Sequence, residues 1–146
     1  MQGEPQATRW VQDLGISAQV ALLPKQTRIQ MADLFRCARV AVSPTTHDGT
    51  PNTLLEAMAC GCLPVAGDLE SIREWIKPGV NGLLVDLSHP HALAAAILLA
   101  LQQDDLCQRA REVNLRQIAE RAVHGRVMQT AEQVYRELIG NNPEKR

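Results

Sequence analysis

The sequence predicts an α/β fold, a partial doubly wound parallel sheet with helices on its faces. Three observations predict it. Short apolar runs alternate with longer helical patterns along most of the 146 residues. Turn residues such as Lys77-Pro78-Gly79 and Asn81-Gly82 separate them. The run Val40-Ala41-Val42 passes through Ser43-Pro44 and a polar loop into a helix start. In open α/β sheets that strand–loop–helix junction, outside the carboxyl end of a strand, is where ligands bind.

The elements follow in order. The chain opens in a helical pattern around residues 9–15, and 19–23 is expected as a strand. Residues 28–38 read as a helix with Ile29, Leu34 and Phe35 partly periodic; Lys25 and Arg28 are solvated residues at its start. Residues 39–43 form a strand and 52–60 a helix. Residues 62–66 form a strand and 69–76 a helix, with Asp68 expected as its N-cap. Residues 82–85 form a strand and 90–102 a helix whose apolar stretch 92–101 reads as a buried face. Residues 105–121 form a charged amphipathic helix with Leu106, Ala110, Val113 and Ile118 facing inward. Residues 126–139 are the last helix. No repeat or linker divides the chain, so 1–140 reads as one domain, with 141–146 a polar, frayed tail.

Residues 48–64 are the most informative stretch. Asp48 and Glu56 stand with seven residues between them, across a loop and a helix start. Pro51 suits the first helical position, where its missing N–H would go unpaired anyway. The free N–H groups of the first turn and the helix dipole then favour an anion, with phosphate the commonest. Gly49 lets backbone approach a ligand closely. Glu56, one to two turns in, is suited to accept hydrogen bonds from hydroxyls such as those of a ribose. A plainer alternative stands beside this one. Thr53-Leu54-Leu55-Glu56 also fits a capping box, and Asp48-Gly49 an ordinary turn. On these features alone both readings stay open.

From about Gln19 to Asp86 the chain resembles the C-terminal domain of GT-B fold glycosyltransferases, and most closely the retaining group called family 4, or group 1. The likeness rests on Ser43-Pro44, on Asp48 through Gly61, on Leu63-Pro64-Val65-Ala66, on Ile72-Arg73-Glu74 and on Asn81-Gly82-Leu83-Leu84-Val85. Val127-Met128-Gln129 through Leu138 also resembles the family's closing helix. The resemblance implies a Rossmann-like donor domain. It gives Glu56 the ribose of a nucleotide-sugar donor and Asp48 the transferred sugar. Gly49, Thr50, Pro51, Asn52, Thr53 and Leu54 become the sugar and diphosphate cradle. His47, beside Asp48, is a candidate to contact the donor sugar or its phosphate; as a loop histidine it is otherwise simply solvated.

Two departures from the family pattern matter. The first acid is usually Glu, and Asp48 is a methylene shorter. The family domain also opens with a strand, a glycine turn and an Arg and Lys that neutralise the diphosphate; no such segment precedes residue 18. The domain is therefore expected to be incomplete at its N-terminal end and to lack its acceptor-binding partner domain. The sheet would then rearrange, or self-associate through an exposed edge.

Composition sets further bounds. The length suits one small domain with a real core. Net charge is −1, which excludes a nucleic-acid footprint. No apolar run approaches the roughly 20 residues of a membrane span, and no signal pattern opens the chain. The expected location is the cytoplasm, or the inner membrane face as a peripheral protein. Cys60-Gly61-Cys62 lacks the second pair that a zinc site needs, so buried free thiols are expected. His89-Pro90-His91 reads as a helix start. Asp68-Leu69-Glu70 mimics an acid-x-acid metal motif but falls at a helix start. No metal and no cofactor are expected beyond the nucleotide-sugar substrate.

The resulting expectation is the nucleotide-sugar-binding portion of a retaining glycosyltransferase, inactive without its other domain. The alternatives are a donor-binding module working with a separate chain, a non-catalytic remnant, and a sugar-nucleotide epimerase of the same fold.

Overall fold

The computed structural model describes residues 5–47, 49 and 51–140. The chain divides into two compact units, one up to Leu34 and one from Phe35 onward.

The first unit holds α1 (Pro5–Asp13) and most of α2 (Arg28–Cys37). Gly15 ends α1 at φ 66, the left-handed conformation that glycine adopts without a Cβ penalty. Its N–H bonds Gln12 O at 3.0 Å and that of Ile16 bonds Val11 O at 3.1 Å, the paired closure of a Schellman motif. Thr27 opens α2. Its N–H donates to Gln30 Oε1 at 2.9 Å, and the Gln30 N–H donates to Thr27 Oγ1 at 3.3 Å, which is a closed capping box.

The strand expected at 19–23 does not form. Gln19 lies in a turn, its N–H on Ile16 O at 3.0 Å, and the chain from Val20 to Gln26 has no regular structure. Apolar, β-branched character is not enough: a strand exists only through its ladder and the packing of its faces. Val20, Leu22 and Leu23 are exposed.

The second unit carries β1 (Val40–Ser43), α3 (Asn52–Ala59), β2 (Leu63–Gly67), α4 (Glu70–Arg73), β3 (Leu83–Val85), α5 (Pro90–Gln102), α6 (Asp104–Arg121) and α7 (His124–Gly140). The three strands lie parallel in the order β1-β2-β3, with Val40 opposite Leu63 and Val65 opposite Leu83. The expected α/β class and parallel sheet are therefore present.

Every residue of the central strand β2 is buried, as a parallel strand covered on both faces should be. Its side chains alternate between two cores. Ala66 joins Leu54, Leu55 and Met58 of α3 with Ile72 and Ile76. Leu63 and Val65 join Val85 of β3, Ala100 of α5, and Leu106 and Ala110 of α6. The period-2 alternation of β2 thus sets α3 on one face and α5 on the other, while α6 reaches one core through Leu106 and Ala110 and the other through Ile118.

α6 corrects one expectation. Its buried residues are Leu106, Ala110 and Asn114, a spacing of four that continues to the half-buried Ile118, whereas Val113 is exposed. The spacing was legible; the inward asparagine was not, because a polar side chain hides in an apolar pattern. Asn114 is satisfied by Asn81. Asn81 Nδ2 donates to Asn114 Oδ1 at 2.8 Å and to Trp75 O at 2.9 Å, and Asn114 Nδ2 donates to Asn81 O at 3.0 Å. Asn81 Oδ1 also accepts the Lys77 N–H at 2.7 Å. This buried knot fastens the turn before β3 to α6. Gly82 follows because a Cβ there would meet the Pro64 ring at 2.7 Å and Ile76 at 2.9 Å.

α5 buries one face only. Ala100 is buried, and Leu98, Leu99 and Leu101 remain exposed. Cys62 is buried, its thiol donating to Phe35 O at 3.0 Å; burial pushes it up to about 11, so it stays protonated. Cys60 is half-buried rather than buried, and all four cysteines are free. Among the described residues no helix is long and apolar enough to cross a membrane.

Candidate functional site

Parallel strands put all three carboxyl ends on one side. A cavity of about 520 Å³ opens there. Thr45 and Thr46 line it after β1, Gly67, Asp68 and Leu69 at the end of β2, and Val85, Asp86, Leu87 and Ser88 after β3. A second recess of about 370 Å³ is formed by His47 with Leu69, Glu70, Ser71 and Glu74. Gly67 is required by space: a Cβ on it would run into the Thr45 carbonyl oxygen and the Leu87 side chain.

Two carboxylates on the larger cavity are held in place. Arg73 donates from Nε and a terminal nitrogen to the two oxygens of Asp68, at 2.6 and 2.8 Å. That bidentate guanidinium holds the Asp68 carboxyl below its ordinary value. Asp68 is thus an ion-pair partner and not the N-cap of α4; Leu69 occupies the cap position and makes no side-chain cap. Asp86 Oδ1 accepts the Ser88 N–H at 2.9 Å, and hydrogen bonds from Ser88 hold its carboxyl low as well.

The helix after the β1 loop carries the residues singled out from sequence. Pro51 is the N-cap of α3 (φ −79, ψ 72) rather than its first helical residue, and it offers no side-chain cap. Asn52 and Thr53 therefore form the first turn. Their N–H groups, with that of Leu54, precede the first intrahelical bond, from Leu55 N–H to Pro51 O at 3.0 Å. Thr53 lies two residues past the cap position, so the capping box open to Thr53 and Glu56 does not form. Leu54, Leu55, Ala57 and Met58 are buried, while Asn52, Thr53 and Glu56 share the exposed face.

Each candidate can now be placed. Asn52, Thr53 and Glu56 lie together on α3. Leu54 has its side chain in the core. Pro51 is buried and Gly49 is exposed; nothing lies within 4 Å of a Cβ built on Gly49, so crowding does not require a glycine there. His47 is exposed and lines the smaller recess. Glu56 lines neither cavity. Asp48 and Thr50 lie outside the described residues. Thr45, Thr46, Gly67, Asp86 and Ser88 were missed from sequence. Their signal was positional: each falls at or just beyond the carboxyl end of a strand. Among the described residues no three His, Cys, Asp or Glu side chains converge as metal ligands.

Residues 2–116 match the family described as glycosyl transferases group 1. D-inositol 3-phosphate glycosyltransferase 1 of Catenulispora acidiphila is 33% identical over 105 residues, covering 71% of this chain and 25% of the relative. The D-inositol 3-phosphate glycosyltransferase of Geodermatophilus obscurus is 36% identical over 93 residues, covering 64% of this chain and 21% of the relative. Among solved structures, sucrose-phosphate synthase from Thermosynechococcus elongatus matches with a TM-score of 0.86 at 21% identity, over 96% of this chain and 37% of that one. HepE of Anabaena, in complex with UDP and glucose, matches at 0.80 and 20% identity, over 89% and 35%. The fold is that of GT-B glycosyltransferases. The chain spans about a quarter of the length of the curated relatives it matches.

Proposed function

This chain belongs to the glycosyl transferases of group 1, and from that premise we propose that it forms the nucleotide-sugar-binding portion of a retaining, family 4 enzyme. The observation that supports this reading is the start of α3, where Pro51 makes no side-chain cap, the first-turn N–H groups have no partner among the described residues, and Glu56 lies on the exposed face. The N–H groups of Asn52, Thr53 and Leu54, with the helix dipole, receive the diphosphate. Glu56 accepts hydrogen bonds from the ribose hydroxyls. As the bond to the sugar breaks, negative charge grows on the diphosphate, and fixed N–H donors stabilise that charge without reorganising. In this reading no metal is needed. Asp48 and His47 serve the transferred sugar, with Gly49, Thr50 and Pro51 shaping the loop.

The acceptor is held by polypeptide outside these residues, so the chain by itself binds donor and does not turn it over. The enzyme works in the cytoplasm, as a soluble protein or at the inner membrane face. The open edge of β1 is the surface through which the isolated chain would self-associate.

An amide NMR titration tests the assignment, with UDP, GDP, ADP and their sugar conjugates as ligands. One nucleotide should shift the Asn52, Thr53 and Leu54 amides. Glu56→Ala should weaken that binding by roughly tenfold or more, the loss of a charge-assisted hydrogen bond. Well-dispersed spectra with no shift at α3 for any nucleotide, or unaltered affinity in Glu56→Ala, would overturn it.

A further inference from the structure

Asn81-Gly82 is the one Asn-Gly step in the sequence. Asparagine is a thermolabile residue. A following glycine is the context in which its amide is lost fastest, because no Cβ shields the glycine nitrogen. The fold imposes both residues. A Cβ at Gly82 would meet Pro64 at 2.7 Å and Ile76 at 2.9 Å. Asn81 is fixed by its partners: Nδ2 donates to the oxygens of Trp75, Asn114 and Gln117 at 2.9, 2.8 and 3.2 Å, and Oδ1 accepts the Lys77 N–H at 2.7 Å. Those partners decide which way the carboxamide points. The residue is 1% exposed.

The reaction open to such a pair is intramolecular. The Gly82 backbone nitrogen attacks Asn81 Cγ, an N–Cγ bond forms, and Nδ2 leaves as ammonia with the proton that Gly82 gives up. Water then opens the cyclic imide at either carbonyl, leaving aspartate or isoaspartate at position 81. The closed fold opposes the first step. Turning Cγ toward the nitrogen breaks the bonds to Lys77, Trp75 and Asn114 in a site closed to solvent. Gly82 is wedged between Pro64 and Ile76, and its carbonyl oxygen accepts the Gly79 N–H at 2.9 Å. We infer that Asn81-Gly82 is a site of spontaneous, one-way modification, gated by the lifting of α6 from the turn before β3. The product cannot rebuild the knot. A carboxylate has no N–H to give the Trp75 carbonyl or Asn114 Oδ1, and its charge is costly to return to a buried site. Isoaspartate also lengthens the main chain by a carbon. Each modified chain therefore stays unfastened between β3 and α6.

The test incubates the whole chain at mildly alkaline pH, folded and in guanidinium chloride, while peptide mapping by mass spectrometry follows the amide at position 81. Loss in the folded chain should be slower than in the denatured chain by on the order of a hundredfold, since the open state is a minor population. Asn114→Ala leaves both reacting residues intact and removes two bonds of the knot. It should speed the loss by about tenfold, and the Lys77 amide should exchange with deuterium faster by a similar factor. If that variant does not fold, Gln117→Ala, which removes only the acceptor at 3.2 Å, should give about threefold. Modified chain, separated by ion exchange on its added negative charge, should unfold at lower urea than the parent. Equal rates in the folded and denatured chain, rates indifferent to the knot variants, or a modified chain as stable as its parent would overturn the inference. No nucleotide enters these measurements, so they stand apart from the donor-binding reading.

Discussion

Thr27-Arg28-Ile29-Gln30 and Thr53-Leu54-Leu55-Glu56 carry the same capping signature and do opposite things. At Thr27 the box closes: the threonine hydroxyl and the glutamine carbonyl oxygen satisfy each other's backbone N–H groups at the start of α2. At Thr53 it does not form, because α3 begins at Asn52, two residues before the start that a Thr53 cap would need, and Pro51 holds the cap position without a side-chain bond. One helix start is saturated by its own side chains. The other has first-turn N–H groups without a partner among the described residues, and an exposed acid. A polar group already matched within the fold stabilises it, whereas one left unmatched at a strand end is available to a ligand.

Asn81 marks the saturated extreme and should give the largest effect. Asn81→Ala leaves the Lys77 N–H, the Trp75 carbonyl and Asn114 without their buried partner, and should cost about 3 kcal/mol. Urea unfolding would measure it; a loss within about 0.5 kcal/mol would show that water replaces the network. Thr27→Ala should come next, at about 1 kcal/mol for a working cap. Thr53→Ala in the same assay should stay within about 0.5 kcal/mol. Equal costs at the two threonines would erase the contrast. Glu56→Ala should be as mild for stability while damaging nucleotide binding; a loss of about 1 kcal/mol would instead mark Glu56 as a cap in solution.

The smallest effect is in the acid limb of stability. The Arg73 guanidinium holds Asp68 below its ordinary value of 3.8. Its contribution is therefore present above that value and is lost as the pH falls through the lower folded-state value. Asp68→Asn should remove this acid-side decline and leave neutral-pH stability little altered, because the pair is solvent-exposed. Acid titrations that overlay for the two proteins would show that the pair contributes nothing.

Most elements were legible because they obey local rules. β1, β2 and β3 are short apolar runs between turn residues, and each observed strand lies within a residue of its expected bounds. α5 starts at Pro90, where proline is best tolerated. The strand expected at 19–23 failed because strand identity is a property of pairing, which no local pattern contains. Val113 was chosen over Asn114 because hydropathy ranks them that way, although spacing from Leu106 and Ala110 points to 114. The site divides similarly. Glu56 on the free face of α3 follows from helical period alone, since Leu55 and Met58 must face the core. Thr46, Asp68 and Asp86 are far apart in sequence and share a cavity only because β1, β2 and β3 end together.

The sequence by itself determined the alternation of strand and helix, the buried face of α3 and the open position of Glu56, because these depend on periods of two and 3.6 residues and on the chemistry of proline. Only the tertiary structure decided which polar residues are matched and which are free. Asn81 finds Asn114 across 33 positions, and Gly67 yields its space to Thr45 and Leu87. Such pairings are set by the crossing of distant elements, and a hydrogen bond exists only where the packed chain brings donor to acceptor.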